Sequence, residues 1–175
     1  MEYYPEYFDE MLRNVISYGA EYLILGQHFT ASEKDGGIYV YKDNNNPDIL
    51  KKYTDTVITA MKKGVFTYLA HPDVAIFDGD ENVYCEEFRK ICVGSREYNI
   101  PLEINFLGIR DNRKYPNEMF WKMAGEEQSP VTFGFDAHDA KSAYDGESLK
   151  IAEEMVRKYN LNYIGAPKLV LINKE

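Results

Sequence analysis

The sequence has no apolar run long enough to span a membrane, and it does not open on a basic stretch followed by an apolar one. We therefore expect neither a transmembrane helix nor a secretory signal peptide, and no membrane partner. Cysteine is scarce: Cys85 and Cys92 stand seven positions apart, which is helical spacing and not that of a zinc knuckle. A disulfide across two helical turns is geometrically implausible, so we expect reduced thiols and a cytoplasmic protein.

Positive charge is also in short supply. The 175 residues hold 20 Lys and Arg against 29 Asp and Glu, a formal net charge of -9. Phosphate backbones bind to cationic surfaces, so this balance disfavours nucleic acid as the main partner. A small phosphorylated substrate remains compatible with it, because bound metal ions can reverse the field within a site. The 45% hydrophobic content is typical of one globular domain, which we assign to residues 1–175.

Short apolar runs alternate with segments of helical periodicity, without a low-complexity segment or a domain linker. This alternation predicts a parallel α/β sheet, either open or curved into a barrel. The predicted helices cover 5–19, 46–64, 82–99, 117–127 and 146–160, and the predicted strands cover 21–28, 65–71, 100–105, 129–138 and 168–173. The longest irregular stretch, residues 30–47, follows the first strand, and its length and position predict a lid or binding loop.

The only three histidines of the chain, His28, His71 and His138, each end a predicted strand. Because the carboxyl ends of parallel strands lie at one edge of a sheet, the three imidazoles are expected to converge. A single histidine at a strand end is most often a hydrogen-bonded structural residue. That explanation does not account for all three sharing one topological position, which favours a metal or catalytic site.

Acidic and amide side chains accompany these histidines. Asp136 precedes His138 by two positions, which places both on one face of a strand, although Asp is also a common helix N-cap. Glu103 and Asn105 come from the intervening strand and point to the same edge. Neutral imidazole and carboxylate without thiolate suit Zn, Mn or Fe(II) better than Ca or Mg. Such ions activate water and hold a phosphoryl oxygen, as the hydrolysis of a phosphate ester requires.

Four short motifs, "ILGQHF", "AHPD", "LEIN" and "FDAH", occur in this order with helices between them. Together they resemble the histidinol-phosphate phosphatases of the PHP (polymerase and histidinol phosphatase) family, over nearly the whole chain. The resemblance implies a distorted seven-stranded, TIM-like β/α barrel with up to three divalent metal ions at the carboxyl ends of its strands. It also implies a hydrolase that removes phosphate from histidinol phosphate in histidine biosynthesis.

On this resemblance the metal ligands are His28, His71, Asp136 and His138. Asp136, or a water beside it, would handle the proton of the reaction. In the family a Gly-x-Arg segment follows the "EIN" strand, and its arginine contacts the substrate phosphate.

Arg110 matches the arginine of that segment, as a catalytic and substrate-binding residue. We group Arg113 and Asn105 with it as substrate-binding residues, although both arginines are also compatible with solvated loop charges. Glu103 is expected to orient a metal ligand. Asp73 either does the same or caps the segment that follows it.

The chain departs from the family at its beginning. Members open on a His-x-His strand, add a further His, and carry a metal-binding Glu about two positions before the place of Glu2, so no role is carried over to Glu2. We therefore expect a C-terminal portion of a family barrel that lacks the first strands and turns over poorly on its own. Alternatives are another small-molecule phosphoesterase of the superfamily, or an inactive fragment that binds a metal or a partner. The open sheet edges of such a portion predict a homo-oligomer.

Overall fold

The computed structural model describes residues 1–172. Five strands form one all-parallel sheet in the order β1-β2-β3-β4-β5, with helices in the connections. The strands are β1 (Leu23–Leu25), β2 (Phe66–Leu69), β3 (Leu102–Asn105), β4 (Pro130–Gly134) and β5 (Asn162–Tyr163). The helices are α1 (Phe8–Ser17), α2 (Pro47–Met61), α3 (Glu81–Tyr98), α4 (Phe106–Arg110), α5 (Glu118–Glu126) and α6 (Gly146–Lys158). The predicted parallel α/β class is confirmed.

Side-chain caps start most of the predicted helices close to their expected positions. The side chains of Asn46, Asp80, Asn117 and Asp145 each accept a hydrogen bond from a backbone N–H of the first turn of α2, α3, α5 and α6. Each such cap stabilises its helix by about 1 kcal/mol. Pro47 follows the first cap at a position where its missing N–H costs nothing. The predicted helix boundaries are therefore set by local chemistry.

The hydrophobic core lies between the sheet and its helices. An aromatic chain crosses it, from Tyr53 on α2 to Phe88 on α3 (ring centroids 6.4 Å apart) and on to Phe120 on α5 (5.6 Å). All three side chains are fully buried, and so is Trp121 beside Phe120. None of the helices within residues 1–172 is long and apolar enough to cross a membrane.

The last strand is not where the sequence predicts it. Residues 168–173 were expected to form a strand, but within 168–172 only Leu171 forms a bridge, antiparallel, to Tyr22, and Asn173 lies outside the described residues. The fifth strand is instead Asn162–Tyr163, directly after α6, where a parallel β/α repeat places it. Two residues carry no periodic signal, whereas "KLVLIN" is apolar throughout, so pattern alone favours the wrong segment.

β1 ends the sheet on one side, yet three backbone bonds from outside the strands reach β1 or the residues next to it. The Met1 amino group donates to the Ile24 carbonyl (2.7 Å), and the Gly26 N–H donates to the Met1 carbonyl (3.1 Å). At the start of the strand, the Ile172 N–H donates to the Glu21 carbonyl (2.9 Å). The predicted open edge is therefore partly covered by the chain itself.

Candidate functional site

The four residues predicted as metal ligands lie around one pocket at the carboxyl ends of the strands. His28 follows β1, His71 follows β2, and Asp136 and His138 follow β4; all four line a pocket of about 220 Å³. The other lining residues are Tyr39, Tyr41, Val74, Leu107, Arg113 and Tyr115. The predicted convergence of the strand ends is thus seen.

The two histidines from β1 and β2 form the inner part of this pocket. Their ring centroids are 4.6 Å apart, and a Cβ added at Gly26 would touch both rings at 3.8 Å. His71 is 7% exposed, and its Nδ1 is buried without a hydrogen-bond partner within residues 1–172. Burial, with a smaller contribution from His28, lowers the pKa of His71 to about 4. The His71 imidazole is therefore neutral at physiological pH, the form in which histidine binds metal ions.

Glu103 supports His71 through the backbone. Its Oε2 accepts from the His71 N–H (2.9 Å) and from Asn105 Nδ2 (2.9 Å). Burial raises the pKa of Glu103 to about 7. The carboxylate occupies space that only a glycine leaves free on β4, because a Cβ at Gly134 would stand 1.7 Å from Glu103 Oε1. Glu103 therefore holds the main chain of His71, and its role in orienting a metal ligand stays a prediction.

Asn105 uses both ends of its amide inside the protein. Nδ2 donates to Glu103 and also to Asp136 Oδ2 (3.1 Å), and Oδ1 accepts from the Gly108 N–H (3.0 Å) at the start of α4. The side chain is 1% exposed and does not line the pocket. Asn105 thus couples Glu103 to Asp136 and caps α4, and the substrate contact predicted for it stays a prediction.

Two of the predicted ligands have an uncommon backbone conformation. His71 has φ of 34° and Asp136 has φ of 44°. For residues other than glycine, positive φ costs about 1–3 kcal/mol and is concentrated at functional sites. The bonds from Glu103 and Asn105 hold the two strained residues in place.

Asp73 lies on the other side of His71 and serves a helix. Its Oδ2 accepts from the Asn117 N–H and from Trp121 Nε1 (3.1 Å), and so joins the "AHPD" segment to the first turn of α5. Burial raises the pKa of Asp73 to about 7. Asp73 thus bonds to the start of α5, and the two roles considered for it stay predictions.

The two arginines are placed differently. Arg113 lines the pocket, where its Nη1 donates to the Tyr115 hydroxyl (3.0 Å) and its Cζ lies 5.9 Å from the ring centroids of both Tyr41 and Tyr115. Arg110 is paired through Nη1 with Asp145 Oδ2 (3.0 Å), the N-cap of α6, and does not line the pocket. An anion in the pocket therefore faces Arg113 first.

The long loop after β1 forms one wall of the pocket, in agreement with a binding loop. It is held in a folded shape by hydrogen bonds from the Thr30 N–H to the Ile38 carbonyl (3.0 Å) and from the Val40 N–H to the His28 carbonyl (2.8 Å). Gly37 is needed at its turn, because a Cβ there would lie 1.9 Å from the Ala31 carbonyl oxygen. These contacts bring Tyr39 and Tyr41 of the loop to the pocket.

Sequence reasoning missed one carboxylate. Glu2 Oε1 lies 3.2 Å from His28 Nδ1, and Glu2 Oε2 accepts from the Tyr4 hydroxyl (2.6 Å). The only signal in the sequence is the alternation of Glu2 and Tyr4, which places both on one face of an extended segment.

The imidazole and carboxylate groups around the pocket are of the types that bind divalent metal ions, although they do not converge on one point. Within residues 1–172, no three His, Cys, Asp or Glu side chains are arranged to hold an ion. The buried Nδ1 of His71 without a partner is the position that an ion or a moving donor would satisfy. His138 stands apart: its side chain is 71% exposed, and its Nδ1 lies 3.0 Å from the Asp136 carbonyl oxygen. Asp136 and His138 would have to turn inward on metal binding.

No protein-family model matches this chain, and no curated protein is significantly similar to it. What is shown is an α/β fold with a five-stranded parallel sheet, whose strand ends gather imidazole, carboxylate and guanidinium groups around one pocket.

Proposed function

We propose that this chain is a metal-dependent phosphoesterase domain of the PHP family, with histidinol phosphate as the preferred substrate. The observation that carries the proposal is the gathering of His28, His71, Asp136 and His138, from the ends of three parallel strands, around a pocket that also contains Arg113. Imidazole and carboxylate suit Zn, Mn or Fe(II), and a guanidinium beside them suits a phosphate group. A pocket of about 220 Å³ suits a small phosphorylated substrate.

We propose a barrel architecture together with this function. The five parallel strands would be part of a distorted seven-stranded β/α barrel, in which the described sheet supplies the strands that follow the family's opening His-x-His unit. The strand order β1-β2-β3-β4-β5, with neighbours in sequence also neighbours in space, supports a barrel over a doubly wound sheet. We place the reaction in the cytosol, which Cys85 and Cys92 support as free thiols.

The residues that would hold the ions are His28, His71, Asp136 and His138, with up to three ions in a complete family site. A bound ion supplies Lewis-acid activation of the water that attacks phosphorus. The chain's own part begins with His71, which burial keeps neutral and which Glu103 fixes through its main chain. Asp136 Oδ2 is held by Asn105, and Oδ1 is the atom we assign to take the proton of the attacking water.

The arginines would bind the phosphate oxygens. Arg113 already faces the pocket between two tyrosine rings, which restrict its side chain, and its Nη2 also donates to Asp111 Oδ2 (3.1 Å). Arg110, the arginine that the family resemblance assigns to the phosphate, would first have to leave Asp145. A planar guanidinium can bind two phosphate oxygens at once, which orients the phosphorus relative to Asp136.

A second candidate is a chain that binds metal without turnover. It is favoured by the absence, within residues 1–172, of three donors arranged around one point. A metal site with few converging ligands binds an ion more weakly and orients water less well. The two candidates differ in phosphate release, not in metal binding.

The test begins with the chelator-stripped chain, reloaded separately with Zn, Mn and Fe(II). Metal content is measured by mass spectrometry and affinity by calorimetry; phosphate release is then measured on histidinol phosphate, nucleoside monophosphates and p-nitrophenyl phosphate. Asp136→Asn is compared with Asp55→Asn, since Asp55 is an exposed carboxylate on α2 paired with Lys51.

We expect metal binding that Asp136→Asn weakens and Asp55→Asn does not, and release of phosphate from histidinol phosphate in preference to the other esters. Metal binding without any phosphate release would favour the second candidate. Absence of bound metal from the parent chain would contradict both candidates, and equal metal affinity in both variants would show that Asp136 does not hold the ion.

A further inference from the structure

The first residues of the chain run beside β1 and bring a carboxylate to the metal pocket. Met1 bonds to the backbone of β1 on both sides of Leu25, and the Tyr3 N–H donates to Gln27 Oε1 (2.8 Å). Tyr3 is 2% exposed and packs against Phe8 in the core. Successive side chains of an extended segment point to opposite faces, so the side chain of Glu2 leaves the core side and meets His28.

The carboxylate of Glu2 is held in place by three side chains. Oε2 accepts from the Tyr4 hydroxyl at 2.6 Å and lies 3.5 Å from Gln27 Nε2, and Oε1 lies 3.2 Å from His28 Nδ1. Gln27 is itself fully buried and anchored by its bond to the Phe29 carbonyl (2.6 Å). These contacts fix the position of the Glu2 carboxylate beside the His28 ring.

A carboxylate accepts hydrogen bonds and does not donate them, and this decides the tautomer of His28. The Nδ1 of the ring must be the nitrogen that carries the proton if it bonds to Glu2. In a neutral imidazole the lone pair is then on Nε2. Among the described residues, Nε2 of His28 has no hydrogen-bond partner, and His28 lines the pocket.

We propose that Glu2 is a positioning residue for metal binding: it accepts the Nδ1–H of His28, fixes the ring and its tautomer, and so presents Nε2 to an ion in the pocket. A carboxylate behind a metal-binding histidine also raises the basicity of the ligating nitrogen. The part of the proposal that concerns the ion rests on the proposed function, whereas the tautomer of His28 does not depend on it.

The first experiment therefore uses the metal-free chain. Long-range ¹H–¹⁵N correlation spectra at pH 8 report which nitrogen of each imidazole is protonated, and loss of one signal in His28→Asn assigns His28. We expect the Nδ1–H tautomer at His28. Substitution of Glu2 by Gln should convert His28 to a mixture of tautomers. Finding the Nε2–H tautomer in the parent chain would overturn the proposal, whether or not the chain binds metal.

The second experiment measures Zn affinity by competition with a chromophoric chelator, and the visible spectrum of bound Co(II). Glu2→Gln should weaken Zn binding about 10–100-fold, the usual cost of losing the hydrogen-bond partner of a metal-binding histidine. Glu2→Asp should recover part of the loss, and Tyr4→Phe, which leaves the bond between Glu2 and His28, should change affinity much less. Glu6→Gln is the matched control, because Glu6 is an exposed carboxylate near the same segment.

The two experiments separate the failure of this proposal from the failure of the proposed function. If His28 has the Nδ1–H tautomer but neither Zn nor Co(II) binds the parent chain, the contact between Glu2 and His28 is supported and the proposed metal site is contradicted. Equal Zn affinity in Glu2→Gln and Glu6→Gln would overturn the positioning role while leaving the metal site intact. Circular dichroism of each variant shows that the fold is retained.

Discussion

The two halves of the pocket are built in different ways. In the half formed by β1 and β2, which we call the enclosed half, His71 is buried and its main chain is held by Glu103, while the side chain of His28 is 37% exposed and is held by Glu2. In the half that follows β4, which we call the open half, the side chain of Asp136 is 30% exposed and bonded to Asn105, and that of His138 is 71% exposed. A donor that is already fixed loses little conformational entropy when it binds an ion, whereas an exposed one must be ordered first. The enclosed half should therefore determine affinity, and the open half should be completed on binding.

The difference in metal affinity between the two halves is tested most directly by removing one histidine from each. Loss of the hydrogen-bond partner of a metal ligand weakens binding about 10–100-fold. We expect His71→Asn to weaken Zn binding by at least about 100-fold, the upper end of that range, and His138→Asn by about 10-fold, the lower end. The reason is that His71 is oriented before binding and His138 is not. Calorimetric titration of both variants with Zn measures the difference. Equal losses would mean that the two halves contribute alike.

The support beneath the enclosed half can be tested through a glycine. Gly134→Ala puts a methyl group where Glu103 Oε1 lies, so either the carboxylate or β4 must shift. Overpacking of this kind costs about 1–3 kcal/mol of the free energy of unfolding. Urea denaturation measures it, with Gly146→Ala as the control, because a Cβ there meets nothing closer than the exposed Tyr144 ring at 3.4 Å. A Gly134→Ala variant as stable as the control would show that Glu103 has room to move.

Substitution of the two arginines should have a smaller effect, on the binding of phosphate. Arg113→Lys should weaken binding of inorganic phosphate to the metal-loaded chain about tenfold, which is the change in affinity expected when one charge-assisted hydrogen bond is lost. Arg110→Lys should weaken it less, because both arginines are paired with an aspartate but only Arg113 lines the pocket. Competition of phosphate with substrate hydrolysis, or calorimetry, gives both values. The reverse ranking would support the role that the family resemblance assigns to Arg110.

The smallest effect concerns self-association. Tyr22, Leu169 and Leu171 are between 41% and 51% exposed and lie where the C-terminal segment meets β1. We expect a homo-oligomer that buries this apolar surface, and Leu169→Ser should shift it toward the monomer. Light scattering after size exclusion, at two protein concentrations, measures the change. A monomeric parent chain would mean that the coverage of β1 by Met1 and Ile172 is enough.

Much of the fold and part of the site could be predicted, because the relevant signals are local. Apolar runs that end in histidine located β1, β2 and β4, and cap residues located the helices. What failed depends on contacts between distant residues. Glu2 reaches His28 only because the first segment lies beside β1, and no local pattern separates Arg113 from Arg110.

Short elements failed for a different reason. The two-residue β5 has no period to detect, and the apolar "KLVLIN" predicts a strand although it makes only an isolated bridge. Likewise, α4 spans only Phe106–Arg110, which is little more than one turn and lay in a predicted loop.

The attachment of both ends of the described chain to β1 has a consequence for the order of folding. Glu21 bonds to Ile172, near the opposite end of the described chain, and the other contact to this strand comes from Met1. Closing so long a loop has an entropic cost that must be met before the contact stabilises anything, and contacts distant in sequence slow folding. During synthesis β1 can therefore pair with β2 early, but the bond to Glu21 forms only after Ile172 has been synthesised. The Ile172 amide, which donates in this bond, should accordingly be among the last amides at this edge of the sheet to gain protection from hydrogen exchange.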